Sequence, residues 1–473
     1  MIGRKYELGV IRDCIDADRS RLIVVYGRRR VGKTFLIQEA FGRRFTFTHT
    51  GIEGGTFQEQ LGAFWRSLKE RWNEECPRPK SWMEAFDLLK KAVSASSDRR
   101  KTVFIDELPW MDTPHSGFVK AVEDFWNGWA NVRTDVVMVV CGSAAAWMTK
   151  KVLRNRGGLF NRASRTIRLA PFTLAECEQF ASAQGMVMDR KDIASAYMIF
   201  GGSPYYWTLL EKKESLSQNI DRLFFAEGAE LADEFRRLYR SVFANPDPYV
   251  SIVTALATKK IGMTRDEITS VAEGISNNGA LSECLENLQL SGFVRKYAHT
   301  GNASKLSVYQ LIDGYTLFYF SFVRDNVSQD PHFWSHLLKD QRRVVWEGLA
   351  FERVCLLHAE QIKAALGVSG VATAISQWRC HSDDPETKGA QIDLVIERSD
   401  RVTNLCEMKF ASERYEITAA GAESLREKAA AFRRETGTKA NCHITFVTTY
   451  GIRRNAHSAC VQSEVTLDDL FRE

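Results

Sequence analysis

The amino-acid sequence predicts an α/β protein: a parallel sheet with helices on both faces, followed by a helical lid, a winged helix and a second, mixed α/β domain. Three observations carry that reading. Five short β-branched runs alternate with amphipathic stretches over the first 170 residues, the pattern of successive strand and crossover-helix units. Beyond Thr173 the strand signal gives way to helical periodicity. The chain of 473 residues also exceeds one core, because domains hold roughly 100 to 200 residues each.

The five runs lie at 22–26, 45–48, 102–105, 136–141 and 166–169, and with the helices between them they make a core over 1–170. Helical periodicity over 171–244, interrupted at Gly201-Gly202-Ser203-Pro204, reads as a lid. Asn245-Pro246-Asp247-Pro248 closes it, since two prolines and two turn-formers cannot continue a helix. Within 245–326, helical segments at 249–258, 264–273 and 279–291 precede strands at 293–299 and 307–312, joined at Thr300-Gly301-Asn302, which is a winged-helix pattern. The last stretch, 327–473, shows a helix at 333–365, strands near Ala390, Leu405 and His443, and a helix at 420–434 between the last two strands.

Composition narrows the functional classes. A net charge of +5 cannot coat the surface, so any nucleic-acid binding has to come from local basic patches, and a histone-like protein is excluded. A hydrophobic content of 44% with 10 Pro and 31 Gly excludes disordered and collagen-like chains. The longest apolar run, 136–148, falls short of the roughly 20 residues of a membrane-spanning helix, so no membrane partner is expected. Met1-Ile2-Gly3-Arg4-Lys5 is basic without the apolar segment of a secretory signal, which makes the cytoplasm the expected location. Ten cysteines with no Cys-x-x-Cys pair argue against a zinc ribbon, a redox motif or a disulfide framework.

The chemistry begins at Gly27-Arg28-Arg29-Arg30-Val31-Gly32-Lys33-Thr34, which fits G-x-x-x-x-G-K-[ST] between an apolar strand and a helix. In such a loop, glycines let backbone N–H groups turn toward phosphate oxygens, the helix N-terminus adds partial positive charge, and Lys33 reaches the β and γ phosphates. ATP is the expected ligand, with Mg²⁺ on Thr34. Val103-Phe104-Ile105-Asp106-Glu107 supplies the acidic partner: Asp106 to complete the Mg²⁺ shell, Glu107 to orient and deprotonate the attacking water. Ser143, at the end of another strand, either contacts the γ-phosphate or the lytic water, or caps the following helix. The acid-free basic run 150–168 is either a solvated face or the source of an arginine finger, Arg162, acting in cis or from a neighbouring copy in a homo-oligomer.

These residues, together with Gly3-Arg4-x-x-Glu7-Leu8, Phe160-Asn161-Arg162 before Pro171-Phe172, and Gly201-Gly202-x-Pro204, resemble the archaeal-type P-loop ATPases of the AAA+/STAND group. The resemblance extends over essentially the whole chain. It implies ATP hydrolysis, a lid turn that brings Gly202 and Pro204 near the nucleotide, and a C-terminal winged helix and nuclease-like domain.

The helix at 280–291, which would read DNA in a winged helix, carries Glu283 and Glu286 and no Lys or Arg, a poor match to phosphates. A spacer or protein contact competes there with a DNA contact through Arg295, Lys296 and Lys305 on the wing. His332 and His336 are spaced i, i+4 but lack the Glu of a zinc-protease helix, and Trp110, Trp126, Trp129 and Trp147 read as packed core or interface.

Ile392-Asp393 and Glu407-Met408-Lys409 fit the Asp…Glu-x-Lys spacing of the PD-(D/E)XK nuclease fold. A hairpin turning at Ser399-Asp400-Arg401 sets Asp393 opposite Glu407, Gln391 opposite Lys409 and Val395 opposite Leu405, with Ile392, Leu394, Cys406 and Met408 on an apolar reverse face. Opposed carboxylates repel unless a cation lies between them, so Mg²⁺ or Mn²⁺ is the expected occupant, with Lys409 placed to position water or stabilise the phosphate. Glu352 either matches the family's helical acidic residue or is an exposed helix charge. The whole reads as a Mg²⁺-dependent ATPase coupled to a DNA-cutting domain; the alternative is a nucleotide-driven switch whose C-terminal domain binds DNA or a protein without cleaving.

Overall fold

Runs of Val, Ile and Leu with no polar alternation suit strands covered on both faces. In a computed structural model, which describes residues 1–72, 76–154, 162–297, 307–380 and 389–472, they become β1 (Arg21–Tyr26), β2 (Phe47–Thr50), β3 (Lys101–Asp106), β4 (Val136–Gly142) and β5 (Arg165–Arg168). The sheet is parallel throughout, in the order β2-β3-β4-β1-β5. Helices Lys5–Ile15 and Lys33–Ala40 cover one face through Ile11, Leu36 and Ile37; Phe57–Arg71, Trp82–Ala95 and Phe118–Asp124 cover the other through Phe64, Phe86 and Phe118. The second strand starts later than the 45–48 run. Phe45 packs between Phe41 and Phe104, and Thr46 meets Thr102 by reciprocal bonds, each backbone N–H donating to the other's hydroxyl (3.1 and 3.0 Å), ahead of the regular ladder.

The segment read as a lid holds helices Leu174–Ala183, Arg190–Phe200, Pro204–Thr208, Leu216–Phe224 and Glu234–Val242. Three further helices, Asp247–Thr258, Arg265–Val271 and Gly279–Leu290, lead into the antiparallel pair β6 (Val294–Tyr297) and β7 (Val308–Leu311). The expected turn at 300–302 and Lys305 lie outside the described residues, as do Phe160 and Asn161. The acidic helix Gly279–Leu290 faces the core. Lys150 reaches Glu283 (3.0 Å) and Glu286 (3.7 Å), and Arg154 reaches Glu286 (3.7 Å), so its negative charge meets part of the basic run.

The segment read as one helix at 333–365 is three: Phe333–His336, Gln341–Leu357 and Ala359–Ala365. Asp340 restarts the chain by accepting the backbone N–H of Arg342, and His358 interrupts it again. The second sheet holds β8 (Thr373–Cys380), β9 (Ala390–Arg398), β10 (Val402–Lys409), β11 (Asn441–Thr448) and β12 (Ser463–Thr466) in the order β12-β11-β10-β9-β8. β8, β9 and β10 pair antiparallel; β10, β11 and β12 pair parallel, with helix Ala419–Thr436 crossing between β10 and β11. Leu405 pairs with Val395 and Cys406 with Leu394, the register anticipated from the hairpin.

One apolar cluster runs from Phe172 in the lid to Phe471, taking in Phe293, Trp346, Leu394, Cys406 and Val447, whereas the first sheet has its own two clusters. Trp126 is buried in one of these, with Trp129 and Trp147 against it. None of the ten cysteines is in a disulfide, and no helix among the described residues is long and apolar enough to cross a membrane.

Candidate active site

The carboxyl ends of β1, β3 and β4 meet where the phosphate loop begins. Gly27 has φ +154, and a Cβ there would lie 2.3 Å from the Leu169 carbonyl; Gly32, at φ +87, starts helix Lys33–Ala40 in the left-handed region that only glycine enters freely. Val31 is buried among the core residues. Lys33 is 5% exposed, and its amine donates to the Arg28 carbonyl (2.9 Å) and to Ser143 Oγ (3.1 Å). Thr34 Oγ1 donates to Asp106 Oδ2 at 2.7 Å, while Asp106 Oδ1 accepts the Glu107 backbone N–H at 2.9 Å.

Glu107 sits at φ +46 and ψ +49, a conformation that costs a non-glycine residue on the order of 1 kcal/mol or more. Its carboxylate accepts both the Ser143 N–H (3.0 Å) and the Ser143 hydroxyl. Ser143 caps no helix; it links Glu107 to Lys33. Lys33, Thr34, Asp106, Glu107 and Ser143 thus form one hydrogen-bonded group spanning three strand ends.

The side chains of the loop's three arginines turn away from the phosphate cradle to carboxylates on other elements. Arg28, largely covered, donates to Asp313 Oδ1 at 2.5 Å and stacks 4.8 Å from the Phe293 ring centroid. Burial pushes the Arg28 pKa down, but Asp313 outweighs it and holds the guanidinium charged. Arg30 pairs with Glu234 of the lid (2.9 Å) under Tyr205 (3.9 Å), and Arg29 meets Glu53 (3.3 Å). What these positions offer a phosphate is their backbone.

Gly202 has a packing reason: a Cβ would fall 1.9 Å from the Phe172 carbonyl, and Phe172 N–H donates to the Gly202 carbonyl at 2.6 Å. Pro204 opens helix Pro204–Thr208, whose Tyr205 N–H approaches the Arg30 carbonyl at 3.5 Å. Arg162 is exposed and, among the described residues, bonds to none of Lys33, Asp106, Glu107 and Ser143. Buried Arg4 bridges the Ala170 (2.7 Å) and Val31 (3.5 Å) carbonyls, tying the N-terminal helix to the loop and the end of the sheet.

A second polar cluster lies on the C-terminal sheet. Asp393, 7% exposed, takes the Met408 N–H on Oδ2 at 3.0 Å, one step past the last regular pair of the hairpin. Both oxygens of Glu407 are occupied by ammonium groups, Oε1 by Lys409 and Oε2 by Lys428, each at 2.8 Å. Burial pushes Asp393 up to about 6, with Glu407 adding to the shift, and pushes Glu352 up to about 8, with Asp393 adding. Burial acts on Glu407 too, but the two lysines prevail and its pKa falls below the usual range.

The repulsion anticipated between Asp393 and Glu407 is therefore relieved by lysines and by the raised pKa values of Asp393 and Glu352. Among the described residues no three His, Cys, Asp or Glu side chains gather as a ready metal shell; Glu352, Asp393 and Glu407 lie close enough to shift one another's pKa, with Lys409 and Lys428 on Glu407. Lys428, on helix Ala419–Thr436, escaped that reading because no local spacing links it to the Glu-x-Lys pair. The Gln377 side chain donates to the Asp393 carbonyl (2.9 Å) and accepts from Arg295 (2.6 Å), joining β8 to β6.

Comparison with known proteins gives matches over much of the chain. A protein of Methanocaldococcus jannaschii with no assigned function, MJECL04, is 25% identical over 334 residues, covering 69% of this chain and 70% of its own. Among solved structures, a Walker-type ATPase of Pyrococcus abyssi is 15% identical, covering 68% of this chain and 96% of its own, with a TM-score of 0.48. The ORC2 protein of Aeropyrum pernix, in its ADPNP and ADP complexes, is 12% identical, covering 68% of this chain and 93% of its own, with a TM-score of 0.39. Residues 1–210, which hold the phosphate loop, Asp106, Glu107 and Ser143, match the model of an ATPase domain predominantly from Archaea.

Proposed function

We propose that the chain binds ATP with Mg²⁺ in the loop 27–34, hydrolyses it, and passes the nucleotide state to a DNA-acting C-terminal domain. The observation that carries this is the hydrogen-bonded group of Lys33, Thr34, Asp106, Glu107 and Ser143 at the ends of three parallel strands. Thr34 Oγ1 and Asp106 Oδ2, 2.7 Å apart, suit Mg²⁺, which takes one or two protein oxygens and completes its shell with phosphate and water. Bound there, the ion would neutralise charge on the β and γ phosphates. Lys33 turns from Ser143 to the phosphates, and Glu107, steadied by Ser143, takes the proton of the attacking water. Arg162, exposed near the basic run, is the candidate finger, in cis or from a second copy.

Transmission runs through the loop's own arginines. Arg30 ties the loop to the lid at Glu234, and Arg28 ties it to Asp313, directly after β7. The expected result is that Lys33→Ala abolishes ATP binding while Glu107→Gln binds ATP and does not turn it over, since only the transition state needs the base. Equal loss of affinity in both refutes these roles.

The DNA-cutting reading rests on Asp393, Glu407 and Lys409 sharing one sheet, with Lys428 beside them. The non-cleaving switch is favoured by one observation, the engagement of both Glu407 oxygens by lysines. Incubating plasmid and linear DNA with Mg²⁺ or Mn²⁺, with and without ATP, separates the two: cutting that disappears in Glu407→Gln supports the nuclease, and DNA binding without cutting supports the switch.

A further inference from the structure

The helix that would read DNA in a winged helix is acidic and already engaged with Lys150 and Arg154, so phosphate contacts have to come from elsewhere on the surface. A cleft of about 900 Å³ opens at the amino edge of the first sheet, opposite the phosphate loop. The chain reaches it just before β2, where Arg43 and Arg44 project, and just before β3, where Arg99 and Arg100 project; Arg71 and Trp72 close it from the end of helix Phe57–Arg71. The six residues of β3 rise roughly 3.3 Å each, which sets this cleft about 20 Å from Asp106 at the other end of the strand.

Its charge is weakly compensated. Among the described residues Arg44, Arg71 and Arg99 make no ion pair, and Arg43, 70% exposed, reaches Glu39 only at 3.8 Å. The one carboxylate in the wall, Asp98, accepts the hydroxyls of Thr46 (2.8 Å), just before β2, and Ser96 (2.9 Å), in its own turn; these bonds hold its pKa below the usual range, with Lys101 and Arg71 adding. Arg100 forms the floor, spent on the carbonyls of Thr134, Cys14 and Arg19.

We infer that this arginine cleft is a docking surface for the phosphate backbone of DNA. Guanidinium forks match phosphate oxygens, the Trp72 ring supplies an aromatic wall, and the chain as a whole carries too little excess charge to hold DNA anywhere but at such a patch. The inference rests on the DNA-acting reading of the protein. It places the DNA on the ATPase core instead of on the acidic helix.

The test is fluorescence anisotropy of the full chain with a labelled duplex of about 20 base pairs over a range of salt concentrations, comparing wild type with Arg43→Gln/Arg44→Gln/Arg99→Gln. Each phosphate contact contributes about 0.9 to the slope of log K against log salt, so the triple variant should lose about 2 to 3 units of slope and at least about tenfold in affinity. ATP turnover should stay at the wild-type rate, because none of the three residues touches the nucleotide group; this also reports that the variant is folded. Wild-type DNA binding that the variant retains in full overturns the cleft and leaves the DNA-acting reading standing. No DNA binding by wild type overturns both. Poly-glutamate binding that the variant loses, with DNA binding intact, overturns the inference in favour of an acidic protein partner.

Discussion

The pair Arg28 and Asp313 lends itself to a worked prediction, because it is the shortest physical link between the phosphate loop and the C-terminal half. Both side chains are nearly out of water, at 11% and 4% exposure. Asp313 also accepts the N–H and hydroxyl of Thr316 at the start of helix Gly314–Phe318. Asp313→Asn keeps an oxygen for that cap but strands a buried guanidinium, and breaking a buried pair from one side costs about 3 to 5 kcal/mol. Arg28→Met leaves the carboxylate with its Thr316 donors and should cost less, about 2 kcal/mol, the scale of a buried group losing one charged partner. The double variant removes both charges and should cost less than the sum by about 2 to 3 kcal/mol, the coupling of a contacting pair. Urea unfolding followed by the buried Trp207, Trp334 and Trp346, all in the lid-side cluster, measures the cycle. In parallel, ATP affinity should change in Asp313→Asn although Asp313 lies outside the loop. A cycle additive within about 0.5 kcal/mol, with unchanged ATP affinity, would refute the link.

Other outcomes follow from the same geometry. Ser143→Ala should lower turnover by about 10- to 100-fold with little change in ATP affinity, because it removes the hydroxyl that orients Glu107; equal effects on both would assign Ser143 to ground-state binding. His49, 4% exposed, has its pKa pushed down to about 4 by burial, with Arg66 adding. It stays neutral in the fold while the unfolded chain protonates near 6.5, so its contribution is complete above that value and is lost as pH falls toward 4, with a slope of up to about 1.4 kcal/mol per pH unit. Urea titrations of His49→Gln should show that slope flattened. Lys428→Met should raise the Glu407 pKa, detectable by carboxyl NMR titration; no change would remove Lys428 from the cluster. Mixing Arg162→Ala with Glu107→Gln chains should restore part of the ATP turnover if the finger acts between copies, whereas turnover per chain independent of concentration excludes that arrangement.

What could be read from the sequence divides by the distance over which each signal acts. The phosphate loop and the Asp106-Glu107 strand end are local patterns whose flanking strand and helix are contiguous with them, and the hairpin register follows from alternation across a turn of three residues. The break at Asp340 also had a local signal, a side chain suited to cap a new helix, but the apolar spacing on either side continues across it. Phe45 looks like the start of a strand because an aromatic residue suits a strand and an aromatic stack equally well; only the position of Phe41 and Phe104 decides between them.

The partners of Arg28, Arg30 and Glu407 belong to a different class. Asp313, Glu234 and Lys428 lie on elements remote in the chain, and no periodicity joins them to the residues they meet. An arginine in a phosphate loop therefore reads as a phosphate ligand by default, and opposed carboxylates on a hairpin read as a metal site by default. Charge compensation within a buried space decides which partner each side chain takes in the fold. A guanidinium that cannot reach water takes the nearest carboxylate, and a half-buried carboxylate takes the ammonium groups within its reach. The same rule explains the acidic helix Gly279–Leu290: its glutamates answer Lys150 and Arg154 within the chain, a pairing between segments more than 120 residues apart that no local spacing announces.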